Sequence, residues 1–126
     1  MAFKIQPFYN LDSTPIYSVS MEDGVLGMAN KNGTILLNKD LPAHKMQEVI
    51  DHEMTHLEDM KDYRESGGKK GLHYENDKVM YDGKTYARKD GKILYNGKWQ
   101  KEGWKGFEWE RKAYNSWVKR NSKTQL

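Results

Sequence analysis

The residues with the most chemistry in them are His52-Glu53-Met54-Thr55-His56. On an α-helix, side chains four residues apart lie about 40° apart around the axis and about 6 Å along it, so two imidazoles can converge on one ion. Glu53 stands beside them, where its carboxylate can take a proton from a water activated by that ion. A zinc ion with two such ligands and a third keeps a fourth position open, lowers the pKa of the water there and polarises a carbonyl. The chain has no cysteine, which removes disulfides, thiolate metal sites and cysteine nucleophiles together. Any metal must therefore be held by histidine and carboxylates. The bland alternative is a pair of histidines satisfied by neighbouring backbone or carboxylate groups.

A third ligand has to come from elsewhere. With the helix unbroken, Asp62 would sit about 15 Å along the axis from His52, too far to share an ion. A second helical stretch offers Glu108 and Glu110. Glu110, Ala113, Tyr114 and Trp117 fall on one apolar face by helical spacing, whereas Glu108 points away and has Arg111 and Lys112 as surface partners. A carboxylate alone on a buried apolar face needs a partner, and a cation supplies one. Glu110 is the expected third ligand, and the small Ala113 one turn on would let the two helices approach closely.

The elements that must hold these groups can be read in outline. Phe3, Ile5, Ile16, Tyr17 and Val19 alternate or cluster between turn-formers, which predicts strands. Val25 to Ala29 and Thr34 to Leu37 flank the turn Asn30-Lys31-Asn32-Gly33 as a hairpin. From Asp40, a candidate cap, Pro42 in a first turn and apolar residues at 46, 49, 50, 57 and 60 predict a helix over about 42–64. The glycines at 67, 68 and 71 must end it. Over 73–100, Asp82-Gly83, Asp90-Gly91 and Asn96-Gly97 separate short Tyr-, Val-, Ile- and Trp-rich runs, a β-meander signature. No constant period holds across these runs, so they read as structural hairpins rather than a ligand-binding repeat. A second helix over about 107–120 follows, with residues 121–126 fraying. Trp99, Trp104, Trp109 and Trp117 are expected to build the core around the meander, and His44 to be solvated.

The chain of 126 residues fits one α+β domain over 1–126 with a modest core. No apolar run approaches membrane-span length, and MAFKIQPFYN lacks a signal-peptide core, so the expected location is cytoplasmic and no membrane partner is expected. The net charge of +3 hides an asymmetry: residues 1–83 hold 9 basic and 14 acidic groups, and 84–126 hold 12 and 4. A basic third could meet an anionic partner, but such an excess more often keeps a domain soluble, so nucleic-acid binding ranks behind an enzyme and behind a zinc-stapled structural module.

HEMTH, then a strand-rich insert over 65–104, then WERKAY on a helix, together resemble a small gluzincin. The likeness covers the chain from about Ile35 onward, and more narrowly the chain resembles compact zincin-like proteins of phages and prophages. The resemblance implies a small zincin-like fold with an N-terminal antiparallel sheet. It implies one Zn2+ held by His52, His56 and Glu110, with Glu53 as general base and later proton donor in peptide-bond hydrolysis. The implied partners are a peptide or protein substrate and other phage proteins, in a bacterial host's cytoplasm or on a virion. It also implies that an extended peptide lies along an edge strand, matched here to Thr34 to Leu37. Tyr114 and His73 are the candidates for stabilising the oxyanion.

Overall fold

In a computed structural model, the structure describes residues 3–4 and 14–124, with side chains over 14–116. Ile5, expected in the first strand, and Trp117 as a core side chain lie outside what is described. The architecture is α+β: two helices and two separate sheets.

The first sheet contains β1 (Phe3–Lys4), β2 (Ile16–Val19), β3 (Gly27–Ala29) and β4 (Ile35–Asn38), in the order β1-β2-β4-β3. The predicted hairpin is present, with Gly27 opposite Leu37 and Ala29 opposite Ile35. The sheet is mixed rather than antiparallel, because β2 and β4 pair parallel, with Ile16 opposite Ile35 and Ser18 opposite Leu37. That pairing places Ile16, Ile35 and Leu37 on one face, fully buried and clustered with Val49 and Ile50 of the long helix. As a consequence β4 is interior, and β3 and β1 are the edge strands.

The helix α1 (Met46–Glu65) follows a single 3-10 turn at Ala43–Lys45. Asp40 does not cap it. Instead the Asn38 side chain accepts the Asp40 N–H at 3.0 Å and donates to the Val25 carbonyl at 2.8 Å, tying the loop before β3 to the end of β4. After α1 the chain turns back through Gly71, whose φ is +83° and where a Cβ would collide with the Asp59 carbonyl. Only glycine lets the backbone pass this close to the helix.

The second sheet is the predicted meander: β5 (Leu72–Tyr74), β6 (Lys78–Tyr81), β7 (Lys84–Lys89), β8 (Lys92–Tyr95) and β9 (Lys98–Lys101), all antiparallel and in chain order. Asp82, Asp90 and Asn96 have φ of 48°, 53° and 51°, each followed by a glycine with positive φ. Two successive left-handed residues make the hairpin turns whose twist matches the strands. On the inner face, Leu72, Val79, Tyr81, Ile93 and Tyr95 enclose Phe107 and Trp109, two stacked rings with centroids 4.6 Å apart at the start of α2 (Glu108–Thr124). Trp109 is core as expected. Trp99 and Trp104 are not, being 46% and 40% exposed. The meander thus serves as the socket for the first turn of α2, and Glu110, next to Trp109, inherits its position.

Candidate metal centre

Where α1 and α2 meet, His52 Nε2, His56 Nε2 and Glu110 Oε1 form a nearly equilateral triangle, with edges of 3.0 Å (His52–Glu110), 3.2 Å (His56–Glu110) and 3.2 Å (His52–His56). The two imidazoles meet edge to face, 4.8 Å apart. All three side chains are largely shielded from solvent. They form the group of potential metal ligands found among the described residues.

Protons alone do not satisfy this triangle. A ring nitrogen either carries hydrogen and donates or offers a lone pair and accepts, and an ionised carboxylate oxygen only accepts. Burial opposes ionisation of Glu110, but hydrogen bonds from His52 and His56 and the charges of those rings outweigh it and hold the carboxyl at about 2. With that oxygen an acceptor, one edge always sets two donors or two acceptors against each other. A single cation inside the triangle is attracted by all three atoms. Ligand atoms 2.0–2.1 Å from a tetrahedral ion lie roughly 3.3–3.4 Å apart, close to the edges observed. His52, His56 and Glu110 could therefore hold a metal ion.

Glu53 is buried beside the triangle, at 7% exposure. Burial raises its pKa above the usual carboxylate value, with Glu110 adding to the rise, while His56, His52 and the Ala29 backbone N–H oppose it. Its side chain packs where β3 crosses α1: at Gly27 a Cβ would lie 2.7 Å from Val49 Cγ1 and 3.3 Å from Glu53 Cγ. The missing side chain at residue 27 is what lets the edge strand reach the carboxylate. Burial tends to neutralise His56, yet the hydrogen bond and charge of Glu110, with Glu53 and Asp59, raise its pKa overall.

The cleft over the triangle is bordered by β3, by residues 101–105 and by Tyr74 and Tyr114. The edge available to an extended peptide is β3 and not Thr34 to Leu37, since β4 is paired on both sides. Tyr114 lies with its ring 4.3 Å from that of His52, half exposed rather than in the core, and Lys105 Nζ is 5.0 Å from its ring centre. Its pKa is raised by burial and by Glu110, Glu53 and Glu48, so the phenol keeps its proton at neutral pH. The structure does not bring His73 to the cluster. His73 stacks on Tyr63 at 4.5 Å and lies 3.3 Å from Glu75, on the outer face of β5.

Its neighbour Tyr74 takes the inner face and was not anticipated. Burial, and then the charges of Glu110, Glu102 and Glu53, push its phenol pKa up. Strand alternation was the available signal: Tyr74 pairs with the buried Val79, and His73 with Met80. Also unanticipated is Lys112, which leaves Glu108 alone and donates to Asp59 Oδ1 at 2.6 Å, bridging the helices one turn beyond the triangle. Glu108 instead faces Lys84 at 3.5 Å.

Compared with known proteins, the chain matches no family model, and no curated protein or solved structure is significantly similar to it. Among the described residues no helix is long and apolar enough to cross a membrane.

Proposed function

We propose that the protein is a zinc-dependent peptidase of zincin-like design, with one Zn2+ held by His52, His56 and Glu110 and with Glu53 as the proton-transfer group. The observation that carries this reading is the three-atom triangle that protons cannot satisfy, with a buried carboxylic acid of raised pKa beside it. Two imidazoles and one carboxylate, without thiolate, suit zinc. When bound in a site with three protein ligands, zinc polarises a carbonyl and acidifies a water at the open position.

The chain's own residues supply the rest. Glu53, its pKa raised by burial, accepts a proton from the attacking water and returns it to the leaving amine. The protonated phenols of Tyr114 and Tyr74 border the same cleft and can donate hydrogen bonds to the oxygen on which negative charge develops. The free edge of β3 offers backbone groups to an extended substrate.

One observation favours a second reading, a zinc staple without turnover: the triangle joins α1, packed on the first sheet, to α2, rooted in the second. Against it, structural zinc sites close with four protein ligands, and a staple has no use for a buried Glu53. Digestion of a broad peptide library by zinc-loaded protein decides between them. Chelator-sensitive cleavage that Glu53→Gln abolishes while keeping the metal supports the peptidase. Stoichiometric zinc with no cleavage by the wild type leaves only the staple.

A further inference from the structure

The outer face of the meander is independent of the cleft chemistry and has its own pattern. Strands β6 to β9 carry seven basic residues and no acidic one. Register sorts them: Lys89 lies opposite Lys92, and Lys92 opposite Lys101, so three lysines stand in one row across β7, β8 and β9. All three are exposed, and among the described residues no carboxylate lies within ion-pairing distance of any of them. Two residues along the same face, Leu94 is opposite Trp99, whose ring is 46% exposed. Met80, Thr85 and Ala87 continue the face, and Lys78 at its far side has Glu75 at 4.0 Å.

Like charges directly opposite each other on a sheet are destabilising. Protection of a sheet edge explains lysine on β9, which is an edge strand. It does not explain Lys92, because β8 is paired on both sides and has no edge to protect. An anion lying along the row would turn the repulsion into attraction. Strand spacing makes the row about 10 Å long, the reach of a short run of charges rather than of one. Beside it, an indole offers a flat π-face. Lysines that track a backbone next to an aromatic platform are the means by which proteins hold single-stranded nucleic acid without reading its sequence.

We propose that this face binds a single-stranded phosphodiester chain, with phosphates on Lys89, Lys92 and Lys101 and a base stacked on Trp99. Lys101 also borders the cleft, so a bound strand would run up to its rim. The assay is fluorescence anisotropy with labelled oligothymidylate of about 16 nucleotides, the upper site size for one such platform, and an oligouridylate counterpart. Binding at low salt is expected to weaken with a log–log salt slope of about two, from three phosphate contacts on a single strand. Lys89→Gln, Lys92→Gln and Lys101→Gln combined should abolish it, and Trp99→Ala should weaken it roughly tenfold, with metal content unchanged in both. Lys92→Gln alone should raise the melting temperature, by relieving repulsion on both sides. Absence of binding at low salt overturns the proposal. So does binding that survives the triple substitution, or that polyglutamate of equal charge displaces as well as unlabelled oligonucleotide does.

Discussion

Removing Glu110 tests the metal centre at its least local member. In Glu110→Ala the two imidazoles keep their helical spacing but lose the oxygen 3.0 and 3.2 Å from their Nε2 atoms. Losing an outer-shell partner of a ligand costs about 10–100-fold in metal affinity, so losing a direct ligand should cost about 100-fold or more. At a fixed free-metal concentration well above the dissociation constants of both wild type and variant, 100-fold weaker binding removes about 2.7 kcal/mol of linked stability. Unfolding entropy near 2.1 cal/mol/K per residue gives about 0.26 kcal/mol/K for 126 residues, so the melting temperature falls by about 10 °C. The quantity to read is the gap between metal-loaded and metal-free melting temperatures, which cancels whatever the substitution does to the apo fold. That gap should shrink by about 10 °C in Glu110→Ala and stay at the wild-type value in Glu108→Ala, whose carboxylate faces Lys84. If Glu110→Ala binds zinc with affinity within about threefold of the wild type, a difference below 1 kcal/mol, the triangle is a hydrogen-bonded accident and the reasoning fails.

Glu53→Gln should keep stoichiometric metal and lose peptide hydrolysis by about 100-fold to 10,000-fold, measured as kcat on any peptide the wild type cleaves. Gly27→Ala pushes a methyl group toward Val49 Cγ1 and Glu53 Cγ; it should cost about 1–3 kcal/mol in denaturant titration and lower kcat while leaving metal affinity close to wild type. In the metal-free protein the combined contribution of the three site groups to stability should peak near pH 4.5, because their signs differ. Glu110, depressed to about 2, gives stability that is complete above its unfolded value and lost as pH falls toward 2. Glu53 and His56, both raised, give stability that is complete below their unfolded values of 4.5 and 6.5 and is lost as pH climbs through their folded ones. Saturating metal needs deprotonated ligands and should move the maximum toward neutral pH, which a set of melting curves with and without chelator will read.

Much of this was legible because it was local. The meander was readable since a residue-pair turn needs two left-handed residues, and Asp-Gly and Asn-Gly supply them at 82, 90 and 96. Helix α1 was readable from its apolar spacing, although its start was misplaced: Asp40 has the right type for a cap, but a 3-10 turn at Ala43–Lys45 intervenes and α1 begins only at Met46. Glu110 was separable from Glu108 because Ala113, Tyr114 and Trp117 follow it at helical spacing on one apolar face, and the structure buries Ala113 fully where the helices meet. The parallel pairing of β2 with β4 was not legible. Turn chemistry reports only strands joined by the turn, and this pair is selected by the shared burial of Ile16, Ile35 and Leu37 under α1. The edge strand was misassigned for the same reason, since whether β4 is interior depends on what pairs with its other side.

The two site features that escaped the sequence share one cause, and it bears on how the centre is held. Lys112 was assigned to Glu108 because helical spacing offered that partner, and surface pairs of this kind are worth only about 0.2–0.5 kcal/mol. A buried carboxylate is a stronger claimant. Asp59, at 1% exposure, would be left without a cation in the low-dielectric contact between the helices, so the flexible lysine reaches past its own helix to it. Burial of Asp59 depends on the approach of α2, which is set by the seating of Phe107 and Trp109 against the meander, far from Asp59 in sequence. Tyr74 is turned toward the cleft by the register of β5 on that same meander. Local spacing could therefore identify which groups would do chemistry, while the choice of their neighbours waited on a packing that only the second sheet determines. Disturbing the socket of Trp109 should consequently loosen Glu110 and Lys112 together, and with them the contacts these two make to α1.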